Sequence, residues 1–545
     1  MAAKMFSAQT IKRFTSIHSW IGICTGMALF IAFFCGALVI YEHELHQWTN
    51  PDLRRGFGDA ALLDKVVAKV AVDPTAKGNF SVSLGDEGQG PVKASFYEFG
   101  EGRRFVAHTR ALDARLDLIS QQTISGLAHH INHIHFTLGI PGALGYNLMG
   151  VVSLVYALAL ITGLIIHLPH LLKDLFGLRT GKNLKKMWTD AHNVIGVLSL
   201  PFHLMFAITA VVFCLSFTIN EMLADVMPSK QAYTEFQSVV MAGFEHGGGG
   251  RREAPAAPAA MLKAADLIAA AQRHAPQMRV TGVSFRDYGT ERARATVEGR
   301  FRNAIIAKGS VELSAVDGSL KKMNVPGLRD GATLLNSGYM ELHIGNYGGE
   351  VIKFIYFVLG LAGAFLFYSG NLLWVETRRK SRSVEQPRSG WVMAQLTVGI
   401  CLGCCLGVGL ALVGNKVLPA TFADRGTWEQ NLYHAGFFAA VIWGLARPPA
   451  RAAIELLYAL AAVYLALPLL NMVVTGDNLV RAAREGLWDI VVIDVIFLAC
   501  AAGFFAMARA TQRRARFGQP NSVWSLASSA ASAKTTGGEK PHVAA

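Results

Sequence analysis

Apolar residues in this chain come in long unbroken runs, with polar stretches of changing periodicity between them. Eight runs, at 17–41, 147–168, 192–219, 351–375, 391–414, 430–446, 452–474 and 487–508, read as membrane-crossing helices. A crossing takes ~20 mostly apolar residues, and the sixth run is the shortest. Between the first and second runs the period changes. ALLDKVVAKVA has helical spacing, and NFSVSLG, VKASFYEFG and RRFVAHT alternate as strands do. The same order recurs between the third and fourth runs, as MLKAADLIAAAQRHA, MRVTGVSFRD, RARATVEGR and AIIAKGSVELS. The pattern predicts a duplicated α+β module, the second copy tethered by GGGGRREAPAAPAA.

These elements divide the chain into a first crossing (1–48), a first module (49–128), crossings two and three (129–219), a second module with its linker (220–342), crossing four (343–380), crossings five to eight (381–516) and a low-complexity tail (517–545) expected to be disordered. The expected class is an α-helical membrane protein of eight transmembrane helices, a four-helix bundle plus four more, with two small α+β modules outside. Neither module holds a nucleophile–base pair or a phosphate loop, so binding or scaffolding suits them better than catalysis.

Composition agrees, with 52% hydrophobic and only 16% charged residues. A net charge of +13 raises nucleic acid as a partner, but the basic residues sit at alternate connections. Lys12 and Arg13 precede the first run, LLKDLFGLRTGKNLKKMW joins the second to the third, and ETRRKSRSVEQPR joins the fourth to the fifth. Arg447 and Arg451 flank the next turn, and RATQRRAR follows the last run. This is the positive-inside pattern. It places both termini in the cytoplasm and both modules outside, with the lipid bilayer and no nucleic acid as partner. The first run is too long for a cleaved signal peptide and no small-residue cleavage site follows it. All seven cysteines fall in apolar runs, which excludes a disulfide framework, and CLGCC reads as packing.

Ionisable residues at membrane depth are costly and by default mark function. Histidines stand where the first four crossings begin: His18 in IHSWIGICTG, His135 in HIHFTLGIPGALG, His192 in WTDAHNVIGVLSLPFH and His343 in MELHIGNYGGEVIKF. Because the crossings alternate in direction, His18 and His192 share the cytoplasmic side, and His135 and His343 the outer side. Paired imidazoles across a bundle core can ligate a haem iron from both sides. Gly22, Thr25 and Gly26 share the face of His18, and Gly196, Ser199 and His203 that of His192, leaving room for a flat macrocycle. With no CxxCH motif the haem would be non-covalent, b-type, and two in number.

Other histidines leave alternatives open. HHINHIH contains His129, His130 and His133 beside His135; the HxxxH pair lacks the glutamate of a zinc protease. These residues could line the outer site, contact haem propionates, bind metal, or belong to a polar interfacial helix. His43 and His46 are equally ambiguous. His203 lies 11 residues beyond His192, ~16 Å along a straight helix, as a bridging, haem-contacting or alternative ligand. His167 could replace His18 as a partner, and His434 reads as packing.

The segments IHSWIGICTGMALFIAFFCGALVIYEHEL, IHFTLGIPGALGYNLMGVVSLVYALALITGLIIHLP, MWTDAHNVIGVLSLPFHLMFAITAVVF and LHIGNYGGEVIKFIYFVLGLAGAFLFYSGNLLW resemble the PepSY-associated transmembrane-helix family, iron-regulated bacterial inner-membrane proteins that include ferric-siderophore reductases. Its LH-x-x-x-G helix opening is matched by His18–Gly22 and His192–Gly196, and as HIG by His343–Gly345. The resemblance covers about 1–380. It implies PepSY-like modules, haem b in the first four helices and siderophore-bound ferric iron as electron acceptor. His167 stands where the family more often has tryptophan, and His203 is extra. Crossings five to eight lie beyond the family core and resemble a fused small membrane protein of iron-uptake operons. No GxGxxG follows a strand, so electrons would come from quinol or a separate donor protein. The rival readings are a haem-bearing relay subunit, a non-redox binding or regulatory membrane protein, and a transporter, for which no inverted repeat is seen.

Overall fold

The computed structural model describes residues 7–54, 60–73, 76, 78–84, 92–99, 105–112, 118–119, 124–168, 183–229, 231–233, 256–302, 304, 306–329, 331–380, 382–383 and 385–526. In chain order the elements begin with α1 (Ala8–Val39), α2 (Glu42–Thr49) and α3 (Ala60–Ala71). Strands β1 (Phe80–Ser83), β2 (Lys93–Phe99), β3 (Phe105–Leu112) and β4 (Leu118–Ile119) follow. Next come α4 (Leu127–Thr137), α5 (Ala143–His167), α6 (Leu184–Leu198), α7 (Leu200–Val226) and α8 (Ala264–His274). Then β5 (Arg279–Arg286), β6 (Arg294–Arg300), β7 (Lys308–Ser314) and β8 (Leu320–Asn324) lead to α9 (Gly331–Ile344) and α10 (Gly349–Thr377). The last are α11 (Arg388–Val417), α12 (Arg425–Ala446), α13 (Pro449–Thr475), α14 (Leu479–Arg484) and α15 (Trp488–Phe517). They form two units. One comprises Met1–Thr49, Ser125–Glu221 and Phe354–Ala545; the other comprises Asn50–Ile124 and Met222–Lys353 and holds every described strand.

Six described helices, α1, α5, α10, α11, α13 and α15, are long and apolar enough to cross a membrane, and α6 with α7 makes a seventh crossing if the bent pair counts as one. Two of the eight expected crossings therefore differ. The run at 192–219 is not one straight helix, since its halves meet at 71°. Pro201 brings no N–H and disfavours helical backbone at Leu200, and Ser199 ends α6 with its Oγ donating to Ile195 O at 2.5 Å. The run at 430–446 belongs to α12, whose first turns carry the buried ion pair Arg425–Glu429 at 3.1 Å and interrupt the apolar length. The tail also departs from expectation. Val523 is buried and Trp524 packs beside it, against Trp374, Val375 and Ala394, so order continues past α15. Residues 527–545, the linker's 247–255 and the basic stretch 169–182 lie outside the described residues.

The helical unit's core runs from α1 into the C-terminal helices. Cys401, Cys404 and Cys405 are buried there, with Cys35 Sγ 3.8 Å from Cys404 Sγ, and all seven thiols are free. At one end of this core Trp48 is fully buried. Its indole Nε1 donates to Asp494 at 2.8 Å, and Lys416 Nζ lies 3.8 Å from its ring centre while donating to its carbonyl. Charges inside a core must be partnered in this way, because unpaired ones are strongly destabilising.

The second unit is built on one eight-stranded antiparallel sheet, in the order β4-β3-β2-β1-β5-β6-β7-β8. Each half is a helix followed by four strands, one more than the three alternating stretches in each half suggested. The halves join through their first strands, with Phe80 opposite Phe285, Ser81 opposite Ser284 and Val82 opposite Val283. Equivalent strands meeting antiparallel, like residue against like, give the sheet a local twofold character. Leu63, Val66 and Val70 of α3 and Leu267 and Ala271 of α8 close one core with Val82, Phe96, Val283 and Val297. Asp64 caps α8, its Oδ1 accepting the Ala264 N–H at 2.7 Å.

Candidate functional site

His18 on α1 and His192 on α6 are brought together, with ring centroids 6.2 Å apart and planes at 74°. His18 Nδ1 donates to Ala159 O of α5 at 3.0 Å, with Thr162 Oγ1 at 3.1 Å. His192 Nδ1 donates to Leu366 O of α10 at 3.1 Å. A carbonyl can only accept, so each bond fixes the proton on Nδ1 and leaves the lone pair on Nε2. Asn183 sets the start of α6 by accepting the Lys186 N–H, which fixes where along the chain His192 falls.

A glycine notch accompanies each bond. A Cβ at Gly163 would stand 3.2 Å from His18 Cε1, and one at Gly370 3.3 Å from His192 Cε1. His135 repeats the device: its Nδ1 donates to Ala32 O at 2.7 Å, and a Cβ at Gly36 would stand 2.8 Å from its Cε1. In all three the glycine follows the accepting carbonyl by four residues, so one turn of the neighbouring helix supplies both acceptor and notch. His18 and Ala32 lie on the same helix, and 14 residues of it span ~21 Å. The His18 and His135 levels are therefore distinct.

His18 and His192 open onto an apolar cleft of about 100 Å³, lined also by Gly22, Thr25, Tyr156, His167, Gly196 and His203. No atom stands within 4 Å of a Cβ built at Gly22, so the wall there is open. Gly26 and Ser199 do not join them. Gly26 is pressed against Asn371, and Ser199 is spent on the bend. His203 is fully buried. Its Nδ1 is 2.6 Å from Tyr156 Oη, and its Nε2 has no hydrogen-bond partner. Phe33 and Phe367 flank it at 5.4 and 6.1 Å and touch each other at 5.0 Å. Phe33 adjoins Ala32 and Phe367 adjoins Leu366, so this aromatic cluster connects the two histidine levels.

The remaining histidines take separate places. His129 lies 3.7 Å from Glu42, whose hydrogen bond holds its pKa above the usual range. His133 Nδ1 is 3.1 Å from Thr137 Oγ1. His130 stacks edge-on to Tyr433 at 5.8 Å and faces His434 at 6.1 Å. Burial first, and then His434, His133 and His129, push its pKa down to about 4. His43 lies 3.6 Å from Asp489, and His46 is in the last turn of α2. His343 is half-buried in the last turn of α9, which Gly345 ends with φ +74°, and belongs to the second unit.

Sequence reasoning missed Tyr156 and the notch glycines Gly36, Gly163 and Gly370. The glycines do leave a trace, as small residues interrupting apolar runs. Tyr156 has none, because a lone tyrosine in such a run gives no sign of a partner 47 residues on. Residues 15–377 match the family described as PepSY-associated TM region. Among curated proteins, none matches the chain.

Proposed function

Because the chain belongs to the family of the PepSY-associated TM region, we propose that this multi-pass membrane protein is a ferric-siderophore reductase with two b-type haem sites. The observation that carries the reading is the pair His18 and His192, whose ring centres are 6.2 Å apart beside an apolar cleft. Two imidazoles on opposite sides of one metal, each bound through a ~2 Å bond, hold their ring centres about 6 Å apart. The residues fit the group in three respects: spacing, Nε2 lone pairs fixed by Nδ1 donation, and an open wall at Gly22.

His18 and His192 would hold one haem at the cytoplasmic side of a bacterial inner membrane, and His135, about 21 Å away along the bundle, would be a ligand of a second at the outer side. His203, His167, His130 and His133 are the alternatives. When bound, haem supplies a one-electron Fe(III)/Fe(II) couple whose potential is set by its axial ligands and burial. The chain's own residues do the rest. Ala159 and Leu366 hold the ligand tautomers, the glycine notches fix the ring positions, and Phe33, Phe367, Tyr156 and His203 keep water from the space between the levels. Electrons enter from quinol or a separate donor protein. At the outer face the acceptor is siderophore-bound Fe(III), which on reduction loosens from its hard oxygen ligands.

The test starts from purified protein reduced by dithionite without oxygen. Ferric siderophores are added, and the visible spectrum of the protein and Fe(II) trapped by a chelator are followed together. Reoxidation with stoichiometric Fe(II) is expected. A protein that stays reduced with every ferric siderophore but reoxidises with another redox protein is a relay subunit, and one purified without haem overturns the redox reading.

A further inference from the structure

We propose that His130 and His434 form a binding site for one divalent first-row transition-metal ion, joining α4 to the C-terminal helices that lie outside the family match. His434 stands on α12, beyond residue 377 where the match ends, and His130 on α4 within it. Their ring centroids are 6.1 Å apart with planes at 53°, and Tyr433 packs edge-on against both.

The two rings are prepared differently. His434 Nδ1 donates to Gln430 O at 2.8 Å, which leaves the lone pair on Nε2, the arrangement that metal-bound histidines show. That Nε2 lies 3.7 Å from a Cβ built at Gly139, so it is turned toward the end of α4. His130 Nε2 is buried and has no hydrogen-bond partner. Its neighbours on α4 are engaged: His129 with Glu42, His133 with Thr137, and His135 with Ala32. A buried ring nitrogen without a partner, 6 Å from a ring whose lone pair is fixed, calls for something between them. Burial keeps His130 neutral at pH 7, the form that ligates.

Imidazole nitrogens without a carboxylate suit Fe, Co, Ni, Cu and Zn and not Mg or Ca, and water would complete the coordination. The physiological ion is Fe(II), and that identity alone rests on the reductase reading. Iron freed by reduction would meet its first protein ligands where the family-matched part meets the C-terminal helices.

Co(II) is the probe, because it can be counted without interference from haem iron. Tag-free protein is equilibrated with Co(II) by dialysis, and cobalt and the visible spectrum are measured on the same samples. One Co(II) per chain is expected. Binding should weaken at least tenfold in His130→Ala and in His434→Ala, with the visible spectrum unchanged in His434→Ala, and persist in His129→Ala. If an alanine variant fails to fold, His130→Gln or His434→Gln takes its place. Wild type that takes up no Co(II), or either histidine variant binding it as wild type does, overturns the site and leaves a bridging water as the occupant. Because Co(II) uptake needs no electron transfer, this result and the reductase test can fail independently.

Discussion

A single β-carbon decides whether the histidines of the bundle can stand where they do. Gly370→Val would drive its side chain into His192, since even the first carbon would sit 3.3 Å from Cε1. About half of the haem should be lost, as in His192→Ala, measured by pyridine haemochrome per chain. Full haem in both variants would mean that His192 is structural and that His203 or His167 takes its role. Acid gives a second test at this scale. His130 has a folded pKa of about 4 and an unfolded one near 6.5, so between these values the unfolded chain binds more protons. Stability should therefore fall as pH drops from 6.5 to 4. Thermal midpoints in detergent should show a shallower fall for His130→Gln, and identical pH profiles would count against it. The identities of His18 and His192 could be read from the sequence because histidine is rare at membrane edges. Their acceptors could not, since any residue of a neighbouring helix offers a carbonyl.

At the scale of elements, apolar length found the crossings and alternation found the strands. The break between α6 and α7 was missed because hydropathy does not register backbone geometry, although Pro201 was there to be read. Pro201→Ala restores an N–H and should relax the 71° bend. His203 would then leave Tyr156, and haem content should fall without loss of the folded protein. An unchanged visible spectrum would show that packing, not proline, sets the angle. The anchor at Trp48 was also hidden, because Asp494 and Lys416 lie far from it in sequence. Asp494→Ala removes a buried charge-assisted hydrogen bond, worth on the order of 2 kcal/mol. The thermal midpoint should drop by several degrees while the haem proposed at His18 and His192 is retained.

For the molecule as a whole, the duplication was legible as a repeated order of helix and strands, but the joining of its halves was not. Sequence gives each strand its faces and says nothing about which first strand it will lie against. The register of Val82 with Val283 predicts how one half behaves alone. A fragment of residues 256–330 would expose the edge of β5, and the nearest match for that edge is another copy of itself. Such a fragment should run as a dimer by light scattering, and a stable monomer would show that the edge protects itself.

The same seam constrains the order in which the chain can be completed. β1 is made early, and its partner β5 follows roughly two hundred residues later, after two crossings, α5 and the bent pair α6–α7, have been threaded. Throughout that interval the first half-sheet waits with an open edge, the surface that invites mispairing with other chains. A pause in synthesis or insertion anywhere between Ser83 and Arg279 lengthens that exposure. The vulnerable moment of this protein is thus set by the spacing of its two halves along the message, and a chaperone that shields strand edges would matter most there.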